Sequence, residues 1–116
     1  ATEPGEPVPD PPPPPTAPAQ PPVANPSFNC SDARTRGEIA VCRDPALAAL
    51  DREMASQYFS ALSRADAEER ALLNRTRNRF IAFRDRCGSD ACVADAYRGR
   101  MREIADIMAG RWSPAR

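Results

Sequence analysis

Apolar residues after position 27 recur at intervals of three and four, the spacing that places them on one face of a helix. Almost no stretch shows the alternation of polar and apolar residues that is typical of a half-buried strand. The few glycines and prolines in this region divide the pattern into four segments. The sequence therefore predicts an all-α fold, a small antiparallel helical bundle with one short helix and three longer ones.

Residues that cap helices mark the start of the first two segments. Thr35 and Glu38 have the spacing of a capping box, with Thr35 at the N-cap and Glu38 three residues into the helix. Pro45 ends this short helix, because proline disfavours helical backbone at the preceding residue, Asp44. The same two residues start the second helix, with Asp44 as the N-cap and Pro45 in the first turn.

Polar residues and glycines separate the later helices, and we expect the apolar stripes between them to form the core. Asp66 is a candidate N-cap for the third helix. This helix ends at Gly88. Ser89 or Asp90 caps the fourth helix, which Gly110 ends. The predicted stripes are Ile39, Val41 and Cys42 in the first helix; Leu47, Leu50, Met54, Tyr58, Ala61 and Leu62 in the second; Leu72, Leu73, Thr76, Phe80, Phe83 and Cys87 in the third; and Val93, Tyr97, Met101, Ile104 and Met108 in the fourth.

The first 27 residues differ in composition from the rest of the chain. Twelve of the fourteen prolines lie at or before Pro26, and the segment contains no aromatic residue. Proline at this density favours extended polyproline II over packed structure. We predict a disordered proline-rich linker over residues 1–27 and a folded domain over residues 28–116. The PxxP spacings leave open a second interpretation, a ligand for a proline-binding groove.

The sixteen basic residues are all arginine, and they balance sixteen acidic residues. Three of the acids lie in the linker, so sixteen arginines face thirteen acids in the domain, a net charge of +3. This charge is too small to predict nucleic-acid binding. The chain has neither histidine nor lysine, which excludes Ser–His and Cys–His nucleophile pairs, imidazole metal sites and Schiff-base chemistry. An enzyme would have to use carboxylates, tyrosines and thiols only. The best carboxylate pair, Glu68-Glu69, is adjacent in sequence, so the two side chains diverge by about 100° on a helix and cannot flank one bond. We therefore expect that the protein is not an enzyme and has no catalytic, cofactor-binding or metal-binding residue.

Four cysteines in so small a domain predict two disulfides and an oxidising compartment. They occur as Cys30-x11-Cys42 and Cys87-x4-Cys92, and the absence of C-x-x-C disfavours a redox pair or a zinc site. Of the three pairings, we predict the local one, because the capping box delays the first helix and only a short turn separates the second pair. Reduced structural cysteines are the alternative.

Both halves of the domain contain spaced motifs. They are Phe28-x-Cys30-x-x-Ala33, Glu38-x-x-x-Cys42, Leu47-x-x-Leu50-Asp51, Tyr58, Arg84-Asp85-Arg86-Cys87, Cys92 and Tyr97-x-x-Arg100-Met101. In this order they resemble the LprI family of bacterial envelope proteins. The likeness covers about residues 28–107 and departs from the family pattern at Phe80-Ile81, where a tryptophan before an apolar residue is frequent.

The resemblance implies a secreted or lipid-anchored helical domain whose relatives inhibit lysozyme by binding, without catalysis. It makes the motif cysteines structural disulfides and Glu38 a helix cap. Asp51, Arg84 and Asp85 are polar motif positions with two interpretations. They form an acid–arginine pair that joins neighbouring helices, or they contact a partner directly.

We therefore predict a periplasmic or secreted inhibitor of lysozyme-type peptidoglycan muramidases, whose target is a host lysozyme or an endogenous lytic enzyme. No run approaches the ~20 apolar residues of a membrane span, and we expect that an export signal has already been removed. The alternative is a non-enzymatic envelope interaction module, held near the cell wall by its proline-rich tail.

The turn between Cys87 and Cys92 is the predicted inhibitory contact, because a bridged loop loses little entropy on docking. Arg86 would pair with a catalytic carboxylate, and Ser89 and Asp90 offer hydrogen-bonding groups. The alternative is that Ser89 or Asp90 only caps the fourth helix.

Overall fold

The computed structural model describes residues 25–114, in which every regular element is helical. The predicted all-α bundle of one short and three longer helices is confirmed. The proline-rich segment before Asn25, with its predicted disorder and its proline-groove alternative, lies outside the described residues. In chain order the elements are a 3₁₀ turn at Cys30–Asp32, α1 at Arg36–Arg43, α2 at Pro45–Arg64, α3 at Ala67–Arg86 and α4 at Asp90–Met108.

Each α-helix begins at a capping residue that the sequence indicates. The Thr35 hydroxyl accepts from the backbone N–H of Glu38 at 3.1 Å, and the Glu38 carboxylate accepts from the Thr35 N–H at 3.0 Å. The side chains of Asp44, Asp66 and Ser89 accept from backbone N–H groups at the starts of α2, α3 and α4. Because N–H groups in the first turn lack helical partners, these bonds fix where each helix starts.

The capping box also sets the charge of its carboxylate. Hydrogen bonds from the backbone N–H groups of Arg34 and Thr35 lower the pKa of Glu38, because they favour the ionised form. A carboxylate whose pKa is lowered by folding adds stability that is complete above its ordinary pKa and is lost as the pH falls through the lowered value. The box is therefore intact at neutral pH and weakens in acid.

Gly110 closes the C-terminus of α4, as the sequence predicts. Its φ of 73° lies in the left-handed region that favours glycine. In this conformation the N–H of Gly110 reaches the carbonyl of Ile107 at 3.2 Å, and the N–H of Arg111 reaches that of Asp106 at 2.8 Å. Both bonds satisfy carbonyls that the last helical turn would otherwise leave without partners.

Helix α4 lies at the centre of the bundle, because α2 and α3 each pack along it and touch one another little. Helix α1 crosses one end and contacts the other three helices. The core has a part beneath α1 and a part at the opposite end. Large members of the first part are Val41, Leu47, Phe80, Val93 and Tyr97, and members of the second are Tyr58, Ala61, Leu73, Ile104 and Ile107.

Two residues that the pattern assigns to the core lie on the surface instead, and those assignments are wrong. Phe83 is 51% exposed and Ile39 is 43% exposed. On α3 the inward positions include Phe80, Arg84 and Cys87, and Phe83 lies roughly 60° to one side of them at about 100° per residue. Arg84 faces inward where the sequence pattern placed Phe83. It can do so because Asp85 and the Tyr97 hydroxyl accept hydrogen bonds from its guanidinium group.

The packed chain extends three residues before the predicted domain start at Phe28. Pro26 is buried, and the carbonyl of Asn25 accepts from Arg52 Nη1 at 2.7 Å. The N–H of Ser27 donates to Asp51. These contacts hold residues 25–27 against α2, although their composition resembles that of the linker.

Both disulfides connect neighbours along the chain, so the predicted pairing is confirmed. Cys30 and Cys42 are bridged with their Cα atoms 5.8 Å apart, and Cys87 and Cys92 with theirs 5.5 Å apart. The first bridge ties the 3₁₀ turn to α1, and the second ties the end of α3 to the start of α4. Such cross-links reduce the freedom of the unfolded chain and limit motion around both turns.

Gly37 allows α1 to lie directly on the end of α3. It is buried, and a Cβ atom at this position would lie 2.5 Å from Asp85 Oδ1 and 2.9 Å from the carbonyl oxygen of Arg84. Real side chains do not approach so closely, and one of these two neighbours is backbone. Any residue other than glycine would therefore push the two helices apart.

We expect Gly37→Ala to lower the melting temperature, because the added methyl group must displace Asp85 or the α3 backbone. Overpacking of this kind costs about 1–3 kcal/mol. In a domain of this size each kcal/mol corresponds to roughly 4–8 °C, measured by thermal unfolding followed by circular dichroism. Gly88→Ala is the matched control, since nothing lies within 4 Å of the place its Cβ would occupy. Equal melting temperatures for the two variants would contradict the close contact.

Candidate functional site

A chain of buried hydrogen bonds joins α2, α3 and α4 beneath α1. The hydroxyl of Tyr97 donates to Asp51 Oδ1 at 2.8 Å and accepts from Arg84 Nη1 at 3.1 Å. All three side chains are buried, and the Tyr97 ring has no exposed surface. Because a buried charge is costly without partners, the tyrosine hydroxyl compensates an anion and a cation together.

The same chain continues to the start of α1 through Asp85. Its Oδ1 atom accepts from Arg84 Nε at 3.0 Å and from the hydroxyl of Thr35 at 2.9 Å. Thr35 is also the N-cap of α1, so its side chain serves the capping box and the interior at once. The polar positions Asp51, Arg84 and Asp85 thus lie between helices, with Tyr97 as the link between the first two.

Burial raises the pKa of Tyr97 well above its ordinary value, and the nearby Arg84 opposes that rise only in part. The side chain therefore stays a neutral phenol at any pH at which the domain works. It keeps its proton for the bond to Asp51, and its oxygen still accepts from Arg84. Tyr97 is therefore not poised to give up a proton at neutral pH, which suits a structural role.

Arg100 is a second buried cation, and sequence reasoning assigned it no role. Its Nη1 donates to the Thr76 hydroxyl at 2.7 Å and to Glu103 Oε1 at 3.1 Å, while Nη2 donates to the Leu73 carbonyl at 3.0 Å. The guanidinium also lies 5.4 Å from the centre of the Tyr58 ring. Its burial could have been predicted from its spacing, because it lies three residues after Tyr97 and therefore on the same inward face of α4.

A surface groove of about 480 Å³ lies where α1 meets the turn between α3 and α4. Its floor is apolar and includes Ile39 and Val93, and its rim is polar and basic. Arg36, Ile39 and Arg43 follow one another along one face of α1 at helical spacing. The rim residues are Arg36, Arg43, Ser89 and Asp90.

The structure separates the three residues predicted as the inhibitory contact. Ser89 and Asp90 line the groove beside α1, and Asp90 lies 3.7 Å from Arg43 in an exposed ion pair. The Ser89 hydroxyl accepts from the N–H of Cys92 at 3.1 Å, so this serine caps α4. Arg86 lies on another face, in a groove between α3 and α4.

The sequence did not single out Arg36, Ile39 or Arg43 as surface contacts. Their spacing was visible, but the apolar member was assigned to the core. An exposed isoleucine between two arginines offers apolar area and charged donors together, which are the features of a protein-binding surface. The bridged turn at Cys87–Cys92 forms the opposite wall and is held in place covalently.

Two structural features are absent from the described part of the chain. None of its helices combines the length and the apolar character that a membrane crossing requires. Within residues 25–114, no three histidine, cysteine or carboxylate side chains come together as metal ligands would.

We expect Tyr97→Phe to destabilise the domain by about 1–3 kcal/mol, because both Asp51 and Arg84 lose a buried partner. Urea unfolding measures this difference. Tyr58→Phe is the matched control: its hydroxyl donates to Asn74 Oδ1 at 2.7 Å, and Asn74 is exposed and can bond to water instead. A Tyr97 variant no less stable than the Tyr58 variant would show that the buried network contributes little.

The comparisons with known proteins agree with the resemblance found in the sequence motifs. A model of the family described as "Lysozyme inhibitor LprI" matches residues 29–110, which span all four α-helices and both disulfides. No significant match was found among curated proteins or among solved structures. Since the family model covers well over half of the sequence and nearly the whole described domain, the chain belongs to the LprI lysozyme inhibitor family.

Proposed function

We propose that this protein is a periplasmic or secreted inhibitor of lysozyme-type peptidoglycan muramidases, and that it acts by binding without catalysis. The observation that carries the proposal is the family match over residues 29–110. Two disulfides support the location, because such bonds persist in oxidising compartments outside the cytosol.

The groove at the turn is the surface that we assign to the muramidase. Enzymes of this class cleave glycosidic bonds with a pair of carboxyl groups in a cleft. The guanidinium groups of Arg36 and Arg43 would donate to carboxylates there, in the charge-assisted geometry that arginine favours. Ile39 would supply apolar area between them, and the disulfide-bonded turn would dock with little loss of entropy.

Charge over long range adds little to this recognition. The domain as predicted from the sequence carries a net charge of only +3. This charge does not attract a cationic lysozyme, and it attracts an acidic enzyme only weakly. Affinity must therefore come from the local contacts of the groove. Substitutions that remove these contacts should act mainly on the dissociation rate.

We expect wild-type protein to stop the clearing of a cell-wall suspension by at least one muramidase at a near-stoichiometric ratio. Arg36→Ala combined with Arg43→Ala should raise the inhibition constant at least tenfold, about 1.4 kcal/mol. Ile39→Asp should have a similar effect, because it places a charge on the apolar floor. The charge-matched control is Arg75→Ala with Arg77→Ala, two exposed arginines on α3 away from the turn.

The outcomes separate the alternatives. If no muramidase is inhibited, the protein is instead an interaction module of the envelope. If the control pair weakens inhibition as much as the groove pair, the arginines act through net charge alone. Arg86→Ala tests the remaining predicted contact without disturbing the Ser89 cap, and full inhibition by this variant would place Arg86 outside the contact. Melting temperatures of all variants should stay within a few degrees of wild type.

A further inference from the structure

A second groove, on the face formed by α3 and α4, contains two features that the packing of the chain does not explain. The groove has a volume of about 460 Å³ and shares no lining residue with the groove beside Ile39. Phe83 stands in it with half of its surface exposed, and Gly99 lies opposite on α4.

Gly99 is in the interior of a long helix, where glycine is about 1 kcal/mol less favourable than alanine. A Cβ atom there would meet only the flexible end of Arg102, at 3.7 Å, so no neighbour in the chain requires the missing side chain. An exposed phenylalanine and an empty position of this kind are complementary in shape. They are a knob on α3 and a hole on α4.

The knob and the hole lie at the same level along the bundle. The two helices are antiparallel, and Arg79 on α3 is hydrogen-bonded to Glu103 on α4. Phe83 lies four residues after Arg79, and Gly99 lies four residues before Glu103, about one turn in each case.

The charges of this face follow the same alignment. The hydrogen bond from Arg84 to Tyr97 shows that these two residues lie at the same height along the bundle. Arg86 lies two residues from Arg84, and Asp95 two residues from Tyr97, both in the direction of the turn. The α3 edge of the groove therefore carries Arg86 level with Asp95 on the α4 edge.

We propose that this face binds a second copy of the chain about a two-fold axis parallel to α3 and α4. A rotation of 180° about this axis places α3 of each copy against α4 of the other. It does not change the height of any residue along the helices. Phe83 then enters the hole at Gly99 of the second copy, and Arg86 meets Asp95 of the second copy. A two-fold interface must complement itself, and here shape and charge do so under one operation.

The size of the face limits the area that the dimer can bury. Helices of 20 and 19 residues are each about 30 Å long, so the buried area falls near the lower limit for specific interfaces, about 1,200 Å² in total. The dimer is therefore weak and depends on protein concentration. The axis also places both Cys87–Cys92 turns at the same end of the dimer.

Sedimentation velocity between about 10 µM and about 1 mM tests the pairing without any muramidase, so its result is independent of the proposed function. Wild-type protein should move from monomer toward dimer as the concentration rises. Phe83→Ala and Gly99→Gln should each lower the association constant at least tenfold, the first by removing the knob and the second by filling the hole. Phe59→Ala is the matched control, since this phenylalanine is 65% exposed on α2, outside the face.

A charge exchange tests the orientation. Asp95→Arg should weaken the dimer, because two arginines then face each other, and adding Arg86→Asp should restore it. Wild-type protein that stays monomeric at the highest concentration would overturn the proposal. So would a Phe59 variant as weak as the Phe83 variant, or an exchange that restores nothing. Circular dichroism of each variant confirms that a loss of dimer is not a loss of fold.

Discussion

The bond between the Tyr97 hydroxyl and its two charged partners is the interaction on which the rest of the structure depends. It connects one residue from each long helix, and the central helix contributes the tyrosine. Buried ions contribute to stability only when each has partners, and here one neutral group serves both. Because a hydrogen bond tolerates little displacement, this chain fixes how α2, α3 and α4 are positioned relative to one another.

The end of the bundle beneath α1 is built around that network and is the most constrained region of the domain. Gly37 brings α1 into contact with the α3 backbone, so that Thr35 reaches Asp85. Two disulfides lie at the same end, one before α1 and one in the α3–α4 turn. A binding surface gains from such rigidity, because little conformational freedom remains to be lost when a partner docks.

Two surfaces with different character lie on either side of the end of α3. The groove beside Ile39 has an apolar floor and a basic rim, and we assign it to a muramidase. The face that carries Phe83 and Gly99 has acidic and basic edges that match each other, and we assign it to a second copy of the chain. Arg86 borders the second surface although it is only three residues from Ser89 on the first. A short helix end therefore separates the two surfaces.

The sequence by itself determined the features that depend on near neighbours. Helix starts at Thr35, Asp44 and Asp66 were predicted correctly, because a capping bond spans only two or three residues. For the fourth helix the sequence left Ser89 and Asp90 as alternatives, and Ser89 is the cap. Both disulfide pairings followed in the same way from short separations. The family resemblance was visible as well, since its motifs are read directly from the residues.

The apolar pattern found most of the core, since stripe members such as Leu47, Phe80 and Ile104 are buried. Only the tertiary structure decided which residues at the edges of each stripe face inward. The apolar pattern placed Phe83 and Ile39 in the core, yet both are exposed, while Arg84 and Arg100 are buried. Which face of a helix is buried depends on the neighbouring helices that cross it. The buried arginines also find hydrogen-bond partners on other helices. The groove at the turn depends in the same way on α1 crossing the bundle end, which a close contact at Gly37 permits and no local pattern specifies.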